Sequence, residues 1–289
     1  MSTQGWWNIE SCYRELQIVT KQGKGHIRTT LTRLAADGTL EKHPSKNGYY
    51  RLVNEDCELI EWWKASTDDV PITFPFGIEK YVRLFPKSII VVAGVQNAGK
   101  TAFMLDTIER NLENEELFDF YREFMPHDDT LFHVYNCEAG DSEVRERISK
   151  IPEVSYELWK NRVKIYERTS DFDRVIKPNL INIIDYIERN ENPYLIGNDL
   201  RAIHEKLQKG IAIVNIQKES YSALGSGAGK GLNKPRLYLI INPGELIIQK
   251  AKNYRGSVNP NGMRAKFKLI DGNQFITQML TKPVDGDNV

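Results

Sequence analysis

The stretch Ser88-Ile89-Ile90-Val91-Val92-Ala93-Gly94-Val95-Gln96-Asn97-Ala98-Gly99-Lys100-Thr101 decides the fold of this chain. An apolar run of strand length ends in Gly-x-x-x-x-Gly-Lys-Thr, and a helical pattern follows from Ala102 to Leu112. Strand, glycine-rich turn and helix N-terminus together form an anion cradle, because backbone amides and the positive end of the helix converge on one point. Gly94 is expected to turn the chain, the amides of Asn97 to Lys100 to wrap a β-phosphate, and Lys100 to contact the β- and γ-phosphates. Thr101 offers a hydroxyl to Mg²⁺. The candidate ATP-binding residues are thus Gly94, Val95, Gln96, Asn97, Ala98, Gly99, Lys100 and Thr101, with ATP and Mg²⁺ as ligands.

Outward from this loop, strand-like runs alternate with helical ones, the signature of a parallel sheet with crossover helices. Strands are expected at Ile89 to Ala93, Leu131 to Asn136, Val163 to Tyr166, Leu180 to Ile184 and Ile211 to Ile216. Helices are expected at Ala102 to Leu112, Ser142 to Lys150, Ser155 to Lys160 and Leu200 to Lys209, the last with Asp199 as N-cap and Gly210 as its stop. The pattern then shortens to Leu237 to Ile241, a turn at Asn242-Pro243-Gly244, Leu246 to Lys252, and Ala265 to Ile270, which reads as antiparallel strands closing an α/β core.

A phosphate loop alone does not hydrolyse ATP, since the metal must be held and a water oriented. Asp185 closes the apolar run Leu180-Ile181-Asn182-Ile183-Ile184, where a carboxylate faces the crevice at the ends of the strands and can serve the metal with Thr101. Glu138 lies just beyond the strand Leu131 to Asn136 and can take a proton from water. Asp141 and Glu143 are the competing acids.

Phosphate loop, Glu138 in Tyr135-Asn136-Cys137-Glu138-Ala139-Gly140, Ile184-Asp185-Tyr186 and Gln217 ending Val214-Asn215-Ile216-Gln217 together resemble the RecA-like ATPase core, in its DnaB, RepA and KaiC branch. The resemblance covers residues 85 to 272. It implies a catalytic role for Glu138, a metal-binding role for Asp185 and a γ-phosphate sensor at Gln217. It also implies a central DNA-binding loop in the glycine-rich segment Glu219 to Lys234, which carries Lys230 and Lys234 and is too glycine-rich to be a core element. Six basic residues and no acid occupy Leu246 to Ile270. Relatives there reach a neighbour's γ-phosphate with a Lys and an Arg, so Lys252 and Arg255 are expected to act in trans, with Lys250 as an alternative. The spacing of two residues in Lys252-Asn253-Tyr254-Arg255 departs from the family's one. Trans residues imply a homo-oligomer, expected to be a hexamer.

Residues 1–62 resemble a winged helix-turn-helix, with Thr30 to Gly38 as the end of a recognition helix, Gly38 as its stop, and a wing over His43 to Asn47. Lys24, Arg28, Arg33 and Lys46 are the candidate duplex-DNA contacts. Residues 63–85 read as a linker or wrapping segment, 86–275 as the ATPase core, and 276–289 as a flexible tail.

The 289 residues are 40% hydrophobic and 27% charged, an ordinary globular profile. Lys+Arg and Asp+Glu both number 39, so any nucleic-acid contact must come from local patches. The three cysteines, Cys12, Cys57 and Cys137, are odd in number and scattered, which suits a reducing, cytoplasmic compartment. No apolar run is long enough to span a bilayer, so no membrane partner is expected. The expected fold class is α/β, a RecA-like P-loop core with a small N-terminal winged-helix domain. The expected function is a DNA-binding oligomeric ATPase in replication or recombination, of hexameric helicase or translocase type. The alternatives are an ATP-switched assembly factor without unwinding activity and a KaiC-like signalling ATPase.

Overall fold

A computed structural model describes residues 5–53, 59–125, 128–187, 195–218, 224–225 and 233–282. The chain divides into two compact units, Met1–Ser66 and Thr67–Val289.

The first unit comprises β1 (Trp7–Asn8), α1 (Ile9–Glu15), α2 (Lys21–Ala36), β2 (Leu40–Lys42) and β3 (Tyr49–Leu52), with the strands in antiparallel order β1-β3-β2. Thr20 starts α2 by accepting from the amide of Gly23 at 3.1 Å, and Gly38 follows its end at φ 83°. Ile9, Tyr13, Leu31, Leu40 and Tyr50 form its small buried core. Lys24 lies over the Tyr13 ring at 5.1 Å, and Arg28 donates from Nε to the Tyr13 hydroxyl at 3.1 Å. Arg33 and Lys46 are exposed.

The second unit runs β4 (Ile89–Gly94), α3 (Lys100–Glu109), α4 (Glu115–Tyr121), β5 (Phe132–Asn136), α5 (Asp141–Ser149), α6 (Tyr156–Arg162), β6 (Val163–Glu167), β7 (Ile181–Ile187), α7 (Ile196–Lys206), β8 (Ile211–Gln217), β9 (Leu237–Asn242), β10 (Glu245–Ala251), β11 (Arg264–Ile270) and β12 (Gln274–Thr277). Among the described residues these strands form one nine-stranded sheet, ordered β12-β11-β10-β9-β4-β8-β7-β5-β6. Pairing is parallel from β9 through β4, β8, β7 and β5 to β6, and antiparallel from β9 to β12.

Strands β4 and β8 are buried on both faces, as a parallel sheet sandwiched by helices requires. Alternation divides their side chains: Ile90 and Val92 join Phe103, Ile108, Leu117 and Trp159 on the face of α3 to α6. Ile89, Val91 and Ala93 join Leu200 and Ile203 of α7 on the other. Part of the stretch read as linker supplies core: Val70, Ile72, Phe74, Ile78, Val82 and Leu84 are buried with the first face. Phe74 stacks on Phe103 with ring centroids 6.2 Å apart.

Several local expectations are corrected. Helix α7 begins at Ile196 with Leu195 as cap, so Asp199 sits within its first turn, where a carboxylate still complements the helix dipole. The helix stops at Lys206, and Gly210 serves β8 instead: a Cβ there would stand 2.2 Å from the carbonyl oxygen of Leu180. Asn114 caps α4, a helix absent from the sequence reading, by accepting from Leu117 N at 3.1 Å. Gly225, within the segment read as too glycine-rich for a core, is buried; its amide donates to the Tyr238 hydroxyl at 3.0 Å, and a Cβ would meet Ala93 and Ile216. Lys230 lies outside the described residues.

Candidate active site at the strand ends

The phosphate loop leaves β4 at its C-terminal edge, and its turn is not made by the first glycine. Gly94 is the last residue of the strand; the left-handed positions are Asn97 at φ 59° and Gly99 at φ 105°. Gly94 is needed for proximity, since a Cβ would lie 2.6 Å from the carbonyl oxygen of Ile241 on β9. Gly99 is needed for its backbone, because a side chain there would strain the left-handed conformation that opens α3. The first bond of α3 runs from Phe103 N to Gly99 O at 2.9 Å. The amides of Lys100, Thr101 and Ala102 therefore precede the helical ladder and point their dipoles out of its N-terminus.

Lys100 is buried, and its Nζ donates to the carbonyls of Gly94 at 3.1 Å and Val95 at 2.9 Å and to Gln217 Oε1 at 3.2 Å. Burial lowers the ammonium pKa below its ordinary value, against the opposing charges of Asp185 and Glu138. A cation held by neutral carbonyls beside free helix amides fits a polyphosphate, which would supply the charge this lysine lacks.

Asp185 is the fifth residue of β7, which continues two residues beyond it, and is 7% exposed. Its Oδ2 accepts from the Thr101 hydroxyl at 2.8 Å, and its Oδ1 from Asn215 Nδ2 at 2.8 Å. Hydroxyl and carboxylate in contact, with hard oxygen donors only, fit Mg²⁺. Among the described residues no group of three or more His, Cys, Asp and Glu is placed to hold a metal unaided, so substrate oxygens and water would complete the shell.

Glu138 is exposed in the turn after β5 and lines a small cleft with Thr101, Asn136, Arg147 and Asp185. Asn136 shapes that turn: its Oδ1 accepts from Glu138 N at 3.3 Å and Ala139 N at 3.2 Å, and its Nδ2 donates to Ala139 O. The competing acids are engaged elsewhere. Glu143 pairs with Arg147 at 2.6 Å, and Asp141 accepts from the amide of Ser142 at 2.7 Å.

The structure thus brings Lys100, Thr101, Glu138, Asp185 and Gln217 to one edge of the sheet. Lys252 and Arg255 lie at the other edge. Gly94 is level with Ile241 and Leu246, whereas Ile90 is level with Leu237 and Ala251. Lys252 follows Ala251, so it stands more than about 13 Å along the strands from the phosphate loop of the same chain, at ~3.3 Å per residue. Arg255 donates from Nε to the carbonyl of Glu79 at 2.9 Å and pairs with Asp69. Around Lys252 the edge is cationic. Burial, with Lys252 and Arg236 alongside, lowers the pKa of Lys250, and burial with Lys234, Lys87 and Arg236 lowers that of His204 to about 4.

Sequence reasoning missed Asn215 and Asn136. The signal for Asn215 was a single amide inside Ile211-Ala212-Ile213-Val214-Asn215-Ile216, and for Asn136 an Asn two residues before an acid in a turn.

No family model matches this sequence, and no curated protein matches it. Solved structures do. A KaiC-like protein from the hyperthermophilic archaeon Pyrococcus horikoshii shares 15% identity, with 74% of this chain and 100% of that one aligned and a TM-score of 0.53. The RadB recombinase shares 16% identity over 66% of this chain and 91% of that one, with a TM-score of 0.45. A third solved structure, an ATPase domain, shares 15% over 73% of this chain and 93% of that one, with a TM-score of 0.46. The likeness to the KaiC-like protein is one of fold, and with the strand order above it makes this a RecA-like P-loop fold. Among the described residues no helix is long and apolar enough to cross a membrane.

Proposed function

We propose that this chain, built on the RecA-like P-loop fold, is an ATP-hydrolysing, DNA-binding oligomeric motor of helicase or translocase type. The observation that carries the reading is the convergence of Lys100, Thr101, Glu138, Asp185 and Gln217 on the N-terminus of α3. Lys100 turns from the carbonyls of its own loop to the β- and γ-phosphates. Gln217, at the end of β8, senses the γ-phosphate through its contact with that lysine. Glu138, on the rim of the cleft, orients and deprotonates the attacking water. Thr101 and Asp185 would hold Mg²⁺, which would supply neutralisation of phosphate charge.

Placement of Lys252 and Arg255 at the far edge of the sheet supports their use on a neighbour's nucleotide, because neither reaches its own. Sites shared in this way make the active form an oligomer, expected to be a hexamer. DNA is engaged by the glycine-rich segment that leaves β8 beside Gln217, with Lys230 and Lys234, and by Lys24, Arg28, Arg33 and Lys46 of the first unit acting as a winged helix.

One observation favours a second reading, an ATP-switched assembly factor that does not unwind DNA. Arg255 is occupied within its own subunit by Asp69 and the Glu79 carbonyl, as suits a contact made only on assembly. Strand displacement from a forked substrate decides between the two. ATP-dependent displacement supports the motor, ATPase activity stimulated by single-stranded DNA without displacement supports the switch, and turnover indifferent to DNA overturns both.

A further inference from the structure

Two asparagines are wholly buried in neighbouring central strands, and they are not alike. Asn182 of β7 is fully engaged: its Nδ2 donates to the carbonyls of Lys177, Leu180 and Ile211, and its Oδ1 accepts from Lys177 N at 2.8 Å. That residue ties loops together. Asn215 of β8 is also 0% exposed, and its Nδ2 donates to Asp185 Oδ1 at 2.8 Å. A carboxylate only accepts, so this bond fixes which end of the amide faces Asp185. The remaining atom, Asn215 Oδ1, is shielded from solvent and has no hydrogen-bond partner among the described residues.

A buried carbonyl without a donor is unfavourable, and an apolar residue of similar volume would fit the run Ile211 to Ile216 better. The exception lies one side chain from the carboxylate that takes the Thr101 hydroxyl. Strand alternation puts Asn215 and Gln217 on the same face of β8, the face of α3, and Gln217 touches Lys100. The side chain that carries the orphaned atom thus lies on the sheet face that bears Asp185, Gln217 and Lys100.

We propose that Asn215 is a positioning residue that sets the divalent-cation affinity of this site. Its amide holds Asp185 turned so that Oδ1 is taken up by Asn215 and Oδ2 meets Thr101. The inference rests on the nucleotide-site reading above and deepens it. Partners that orient a metal-binding group typically change metal affinity by about ten- to a hundredfold when removed.

The test uses the full chain and Mn²⁺ as probe. Mn²⁺ affinity in the presence of bound ADP is measured by electron paramagnetic resonance, and ADP affinity is measured separately in EDTA. Asn215→Leu and Asn215→Ser are each expected to weaken Mn²⁺ by about ten- to a hundredfold while leaving ADP affinity in EDTA within about twofold. Retention of Mn²⁺ affinity within twofold in Asn215→Leu shows that only packing was served and overturns the proposal. Should Asn215→Leu not fold, Asn215→Ser decides by the same criterion. Failure of the unaltered chain to bind ADP, or to bind Mn²⁺ more tightly with ADP present, refutes the nucleotide-site reading itself, which keeps the two failures apart.

Discussion

On the proposed nucleotide site, Lys100 and Glu138 would act on one nucleotide from different sides and by different physics. The lysine is buried among carbonyls and waits for anionic oxygen, so Lys100→Ala is expected to abolish nucleotide binding while the fold survives. The glutamate is exposed and touches no phosphate cradle, so Glu138→Gln is expected to keep nucleotide affinity and lose turnover by about 10²- to 10⁴-fold, the usual worth of a positioned base. Normal hydrolysis by that variant would transfer the role to another acid. His133 gives a prediction of a different kind. It stacks on Tyr166 at 5.9 Å, its Nε2 is buried without a partner among the described residues, and burial with Lys177 and Lys164 nearby lowers its pKa to about 4. Its folded pKa lies below the unfolded one, so protons bind the unfolded chain preferentially between pH 6.5 and about 4, and stability falls as pH drops through that window. From pH 7 to pH 4 the native chain should lose roughly 2–3 kcal/mol more than His133→Phe, since each tenfold difference in proton affinity is worth about 1.4 kcal/mol. Equal acid losses in urea unfolding of the two chains would remove His133 from the account.

At the scale of elements, close approaches decide more than helix propensities do. Gly210→Ala would place a methyl group against the Leu180 and Pro178 carbonyls where β8 enters the sheet, so a loss of at least ~2 kcal/mol is expected in denaturant unfolding. A drop of a few tenths would mean that the loop simply yields. This glycine shows where reading the sequence stops. Periodicity and the Gly-Lys-Thr pattern reveal the parallel strands, the loop Gly94 to Thr101, and Asp185 and Gln217 as polar punctuation of apolar runs. They cannot reveal which carbonyl a glycine faces across a sheet, so Gly94 and Gly210 read as turn and helix stop although both serve proximity. Helix α4 is seven residues opening with two acids, too short for a periodic signal, and its real mark is the Asn114 cap. Asn215 is illegible in sequence because its meaning comes from Asp185 on the adjacent strand.

For the whole molecule, the far-edge position of Lys252 and Arg255 turns oligomer chemistry into a mixing experiment. Arg255→Ala and Lys100→Ala subunits, each inactive alone, should regain activity when combined, because one brings an intact phosphate loop and the other an intact arginine. No recovery at any ratio would count against sharing between subunits. On the proposed sharing of sites, assembly would also displace Asp69 from Arg255, a pair with its guanidinium 44% and its carboxylate 14% exposed.

The sheet gives the subunit a direction. Its parallel strands end at the phosphate loop, and the antiparallel return of β10 carries cations back to the opposite edge. On the proposed sharing of sites, a subunit then has two unlike ends, and contacts can only repeat head to tail. An open row of subunits always contains one nucleotide without its second set of cations, so activity per subunit climbs as the row lengthens. Closing the row into a ring removes the deficient end, and activity per subunit becomes independent of ring size.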